Sequence, residues 1–390
     1  MVTQRYGSKS SAGFSLVEIM VGLVISMVAV LAIMQALSMF EAPRRAAIAA
    51  SDAHMQGGLA MYTLERDVRM AGYGLSLPAL LGCTLNSSYN GATPTAPSPL
   101  GGSFILAPLI ITKGANGLPD TIRVVSSAKR NPSVPARVVT DHPSQGSSFF
   151  LNTVLGIAPG DMMIAYEPGK NCALFQVTDI PTGNVQVNHT SAGSRWNPAG
   201  SATIFPTSGY TTDALLFNMG SFSVRTYSVD SSANLLLSDY TANGNANTDQ
   251  QLFPDIVSLK AQYGFDTRPA GLDAQVDAWR DTVIDADGNG TAGDTGDLQR
   301  MYAARIAVVA RSAEMEKPLA NGSCDNYTRA SPVLVRPTWT AADPATGVLR
   351  TTTIDVSKNP DGTANALWQC YRYKVFETVI PLRNQIWGKS

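Results

Sequence analysis

The chain has 390 residues, a formal charge of -1 and 15% charged residues, below the roughly 25% of an ordinary globular domain. Near-neutrality excludes the electrostatic footprint of a nucleic-acid binder and implies no strongly charged partner surface. Gly, Ser, Thr, Asn and Ala fill the deficit, a mix suited to strands joined by many turns in an exported protein.

Residues 1–13 read as a short polar leader carrying Arg5 and Lys9. An apolar run from Phe14 to Phe40 follows at once; as a helix it would reach roughly 40 Å, against about 30 Å for a hydrocarbon core. A secretory signal peptide is cut after its apolar run, whereas cleavage at Gly13 falls before it and leaves the helix on the mature chain. The two basic residues keep the leader cytoplasmic and send the bulk of the chain to the other side. The run holds one charge, Glu18, near its start. A carboxylate in an apolar helix costs roughly 2.5 kcal/mol or more at a bilayer centre, which packing alone does not justify.

From Ala46 to Met70, apolar residues recur at roughly helical spacing (Ile48, Met55, Leu59, Tyr62) and alanine is frequent. Pro43 predicts a kink or break, Gly57-Gly58 a soft point, and Gly72 and Gly74 the stop. The first 75 residues thus read as one interrupted helical spine.

Three stretches carry a family likeness. Gly13-Phe14-Ser15-Leu16-Val17-Glu18 resembles the G-F-[ST]-L-x-E junction of type IV prepilins and pseudopilins. LERDVRMAGYG (64–74), together with MYAARIAVVARS (301–312) and WQCYRYKVFETVIPLRNQIW (368–387), resembles the PilW-type minor pilins. The resemblance implies cleavage after Gly13 by a prepilin peptidase, N-methylation of Phe14, and assembly with other minor pilins and the major pilin.

Beyond Pro78, residues 82–120 are rich in Gly, Pro, Ser, Asn and Thr and read as a long loop with one apolar segment, Phe104 to Thr112. Strand-like runs follow at Thr121–Val125, Met162–Tyr166, Ala173–Ile180, Ser221–Val229, Asn234–Leu237, Ile256–Phe265, Ala304–Arg311 and Tyr371–Leu382. The DSSA between the fourth and fifth predicts a hairpin. The expected class is α+β: a helical spine, membrane-spanning in its first half, packed on an antiparallel sheet head with long loop insertions. The expected divisions are leader 1–13, transmembrane and assembly helix 14–40, exported spine 41–75 and head 76–390.

Cys83, Cys172, Cys324 and Cys370 are widely spaced with no C-x-x-C pair, which argues against zinc. An even count in an exported domain predicts two disulfides, with three pairings open.

Glu18 is the sharpest functional candidate. Cleavage would give Phe14 a free α-amine, and a neighbouring subunit's Glu18 would neutralise it and set the axial register of packed helices. A second candidate is Asp285-Ala-Asp287-Gly-Asn289-Gly290, the first half of an EF-hand loop and a calcium candidate. Its twelfth position is Gly296 in place of a bidentate Glu, with Asp294 and Asp297 nearby as substitutes. The overlapping G-x-G-x-x-G at 288–293 lacks a βαβ setting and is ringed by carboxylates that repel a pyrophosphate.

Enzyme patterns are missing. The three histidines form no H-E-x-x-H, no G-x-S-x-G occurs, and His142 and His189 read as surface-loop residues. The tryptophans read as core. The expected function is that of a non-enzymatic minor pilin, held in the inner membrane with its head in the periplasm and then built into an extracellular pilus. A large minor pseudopilin of a type II secretion system and a membrane-anchored adhesin stand as alternatives.

Overall fold

The computed structural model describes residues 13, 15–75, 80–89, 102–127, 129, 134–199, 204–241, 249–269, 272–315, 324, 336–344 and 346–387. The chain falls into two compact units, residues 1–51 and 52–390, divided inside the first helix. That helix, α1, runs from Leu16 to Arg69. Pro43 does not break it, contrary to the sequence expectation. A proline removes one backbone donor, and the alanine-rich stretch beyond it sustains the remaining ladder. The stop comes where expected: α1 ends at Arg69, and Gly72 and Gly74 take positive φ of 76° and 80° in the turn that follows.

In the second unit Ala53, Ala60, Met61, Leu64 and Val68 of α1 are buried in the main core. Their spacings of seven, one, three and four residues put them on one helix face. Gly57 lies on the same face: a Cβ there would overlap the Phe376 ring and stand 3.0 Å from the Ala310 Cβ. It is therefore a close-approach residue between helix and sheet, where the sequence suggested a soft point.

Three sheets close around that core. The first, in spatial order, contains Gly102–Ile105 (β2), Thr84–Ser87 (β1), Cys172–Gln176 (β8), Met162–Tyr166 (β7), Leu215–Gly220 (β10) and Ala136–Arg137 (β5). All its pairs are antiparallel except β1 with β8. The second contains Gln250–Phe253 (β13), Leu235–Thr241 (β12), Phe222–Val229 (β11), Thr121–Ser127 (β4) and Leu109–Thr112 (β3). The third contains Ala278–Arg280 (β15), Ile256–Phe265 (β14), Met301–Arg311 (β16) and Tyr373–Pro381 (β19). Two-stranded pairs are made by Ser148–Phe150 (β6) with Gln186–Asn188 (β9), and by Thr338–Ala342 (β17) with Leu349–Thr353 (β18). Short helices occupy Thr295–Gln299 (α2) and Arg383–Trp387 (α3).

The α+β, antiparallel class holds, with two corrections. The head has several sheets where one was expected, and the supposed loop at 82–120 holds β1, β2 and β3. The predicted hairpin is β11–β12, paired from Val229↔Leu235 to Ser223↔Thr241. Its turn is tied by Asp230, whose carboxylate accepts from the Ser232 and Asn234 amides.

The six-stranded sheet is a wall between two cores. On β7, Met162 and Ile164 face the main core while Met163 and Ala165 face a second one. On β8, Cys172 and Leu174 face the main core, Ala173 and Phe175 the second. Burial on both faces is why these strands read as continuous apolar runs. Every buried member of the second core lies between Ala136 and Leu216, so it is built by one continuous insert in the chain.

Candidate functional site

At the start of α1, Ser15 precedes the first helical residue and its backbone N–H donates to Glu18 Oε2 at 3.3 Å. Ser15-x-x-Glu18 thus carries the Glu half of a capping box, a signal present in the sequence but not read there. The carboxylate also sits in the first turn, where the helix dipole favours negative charge. Gly13 is exposed, while Phe14 and residues 1–12 lie outside the described residues. From Leu16 to Leu37 the helix has mean hydropathy 2.7 and nothing buried within the chain, and it is long and apolar enough to cross a membrane.

The far end of α1 is fixed by a polar cluster that the sequence did not reveal. Asp67 is buried and accepts from Arg225 Nη1 at 3.0 Å, from Tyr227 Oη at 2.5 Å and from Arg66 Nε at 3.2 Å. Arg225 also donates to Asp239 Oδ2 at 3.0 Å, so the cluster joins α1, β11 and β12. Burial works against the Arg225 charge, but Asp67 and Asp239 outweigh it and hold its pKa above the usual value. Burial, with Asp67 accepting its proton, pushes the Tyr227 hydroxyl well up. The Asn384 side chain donates to the Met70 and Ala71 carbonyls at 3.3 and 3.1 Å, just past the helix end, where Met70 also accepts from the Tyr73 amide.

The four cysteines form two disulfides, Cys83–Cys172 and Cys324–Cys370. The first follows from topology: parallel pairing of β1 with β8 sets Leu85 opposite Cys172 and brings Cys83 alongside.

The Asp-rich loop leads into α2. Asp285, Asp287 and Asp297 each offer a carboxylate oxygen within 4.8 Å of the others. That spread is about twice a Ca–O distance of roughly 2.4 Å, so one hard cation could touch all three. Asp297 is buried, and its carboxylate accepts from the Ala286, Asp287 and Gly293 amides at 2.5, 3.1 and 2.7 Å. Asp285 accepts from Gly288, Asn289 and Gly290 at 2.8, 3.0 and 2.8 Å. The Gly290 amide leads the effects that hold the Asp285 carboxyl below its usual range. Asn289 and Asp294 have other work. Asn289 Nδ2 donates to Asp287 at 3.1 Å and to Asp294 at 2.5 Å, and Asp294 caps α2 by accepting from the Asp297 amide. The departure at the twelfth position has a steric reason: a Cβ on Gly296 would overlap the Asp287 carboxylate.

His142 and His189 are not on the surface. They are 2% and 3% exposed, and their Nε2 atoms are 2.9 Å apart inside the second core. The tryptophan expectation holds for Trp196 and Trp339, which are buried. Trp279 and Trp368 are half-buried with the Arg305 and Arg336 guanidinium groups over their rings, 4.7 and 5.2 Å from the centroids.

A family model described as Type IV Pilus-assembly protein W matches residues 222–384, and the prokaryotic N-terminal methylation motif matches residues 8–34. No curated protein matches the chain. Among solved structures, a type IV-like pilin from Thermus thermophilus is similar at 10% identity, with 84% of this chain and 95% of that chain covered and a TM-score of 0.28. A similarity that low carries no argument. The chain thus carries a prokaryotic N-terminal methylation motif on its apolar helix and, in its C-terminal part, a region similar to Type IV Pilus-assembly protein W.

Proposed function

We propose that this chain is a minor pilin of a type IV pilus, used at low copy in a tip or initiation complex and needed for assembly and for pilus-dependent motility or adhesion. One observation carries the reading: a helix from Leu16 to Leu37 with nothing buried in its own chain, opening on a prepilin junction in a protein with a PilW domain. Such a helix needs an outside partner, lipid before assembly and packed helices afterwards. A head of some 300 residues is hard to repeat along a thin fibre, which supports low copy over a main-subunit role. In this reading residues 1–13 are the leader, 14–40 the transmembrane and assembly helix, 41–75 the exported spine and 76–390 the head. The precursor sits in the inner membrane with its head in the periplasm. Prepilin peptidase cuts after Gly13, Phe14 is methylated, and Glu18 neutralises the new amine of a neighbour among the other minor pilins and the major pilin. The chain has no chemistry of its own.

Sheared pili test this. The chain should appear far below the main subunit in quantitative mass spectrometry, with a methylated Phe14 terminus, and Glu18→Ala should lower its incorporation at least tenfold. Parity with the main subunit would remove the low-copy role, and an intact Met1 would remove the prepilin processing. Loss of secretion with pili intact on deletion would move the chain to a type II secretion system.

For the Asp-rich loop the finer reading is calcium, held by Asp285, Asp287 and the buried Asp297. Calorimetry on the full chain in detergent should show calcium-dependent heat that Asp285→Ala removes; equal heat from both proteins would place the cation elsewhere.

A further inference from the structure

The insert that builds the second core, residues 136–216, lies wholly outside the two matched regions. At its centre is the histidine pair. The His142 ring stacks on Phe149 at 3.7 Å with 12° between planes, and Phe205 packs 4.9 Å away. His189 lies 5.0 Å from Phe175 of the wall sheet and 5.1 Å from Phe205. The two backbones hold different parts of the insert. His142 exchanges amide bonds with Tyr210 at 2.7 and 2.8 Å, and the His189 amide donates to Ser147 at 2.9 Å.

A hydrogen bond between two Nε2 atoms needs one that bears a proton and one that does not. A proton added to the acceptor sets two N–H groups against each other at 2.9 Å. A proton added on a far ring nitrogen leaves a cation among phenylalanines, and His142 Nδ1 is buried with no hydrogen-bond partner among the described residues. The charged groups around the insert are committed to other bonds. Glu167 takes Lys170 and both donors of Thr211; Lys170 also donates to the Gly209 carbonyl; Asp141 takes the Thr212 amide; Asp179 takes the Asn188 side chain. The Tyr210 hydroxyl donates to the Asn171 carbonyl. Among the described residues, no carboxylate bonds either imidazole to compensate a charge.

We propose that the His142–His189 pair is an acid-sensitive latch, which holds the insert closed at neutral pH and opens it in acid while the sheets of the PilW region stay folded.

The direction follows from linkage. Burial lowers His142 to about 4, and burial together with the neighbouring His142 lowers His189 to about 3. Both folded values lie below the unfolded value of about 6.5, so the latch is at full strength above that pH. It weakens progressively as the pH falls from there towards the folded values. Between pH 7.5 and 5.0 each histidine weakens the closed state about 30-fold, roughly a thousandfold for the pair.

Hydrogen exchange on the full chain in detergent, at pH 7.5 and 5.0 and corrected for intrinsic rates, tests the latch. Amides of 142–150, 186–199 and 204–214 should lose a hundredfold or more in protection, while those of 256–265 and 301–311 lose less than threefold. His189→Gln, which still offers a donor and an acceptor but does not titrate, should cut the loss in the insert to about 30-fold or less. If that variant is already loose at pH 7.5, His142→Phe, which keeps the stack on Phe149, takes its place and should show the same reduction. Unchanged protection of the insert at pH 5.0, equal loss in both regions, or a full response in both variants would overturn the proposal.

Discussion

The two ends of α1 reverse the usual link between hydropathy and burial. Leu16–Leu37 is the most apolar helix segment and is wholly exposed within the chain. Beyond Ala53 the helix is more polar, with Asp67 among its buried residues, yet it supplies a full face to the main core. Burial of apolar area at roughly 25 cal/mol per Å² stabilises whatever the helix is packed on. For the second segment that is the chain's own sheets; for the first, in the function proposed above, it is lipid or the helices of neighbouring subunits. The two segments therefore answer to different tests, one of head stability and one of insertion and assembly.

Paired truncations give the largest contrast. Leu64 is fully buried, so Leu64→Ala should cost the head about 3 kcal/mol in denaturant unfolding of the full chain in detergent. Leu23 is exposed, so Leu23→Ala should leave that midpoint within about 0.5 kcal/mol. A comparable loss from Leu23→Ala would mean that the apolar end also packs on the head, and the contrast would fail.

The same contrast shows what could be read in advance. Local pattern was enough for the existence and end of α1, though not for its continuity through Pro43, for β7 and β14 with their bounds, and for the β11–β12 turn, because periodicity, apolar runs and a turn-forming Asp act over a few residues. Strands of three to five residues, such as β1, β6, β9 and β18, are too short for such a signature; their neighbours in space create them. Long-range chemistry was hidden for the same reason. Asp67 meets Arg225 and Tyr227 only after α1 docks on β11, and Cys83 meets Cys172 only through a parallel pairing. The histidines were misplaced because a polar sequence context suggested a surface loop, whereas the insert folds that loop over the wall sheet. At the Asp-rich loop the sequence marked the stretch in which three carboxylates come together. It could not tell which carboxylates converge, since Asp294 differs from Asp285 and Asp287 only in the bonds it makes.

Gly57 and Gly58 sharpen the comparison at the smallest scale. Glycine in a helix interior is worth about 1 kcal/mol less than alanine, so either Gly→Ala change gains that much in propensity. The two positions then part. At Gly58 the nearest atom to a new Cβ is Phe376 Cε1 at 3.8 Å, an ordinary contact, so Gly58→Ala should stabilise the head by up to about 1 kcal/mol. At Gly57 the new methyl overlaps the Phe376 ring, and the Ala310 Cβ closes the other side. Overpacking of this kind costs roughly 1–3 kcal/mol and outweighs the propensity gain, so Gly57→Ala should destabilise by about 1 kcal/mol. Opposite signs at adjacent residues would show that the docked end of α1 is set by contact with β16 and β19. Stabilisation by both would mean that helix propensity alone governs this end, and that the close approach at Gly57 has room to relax.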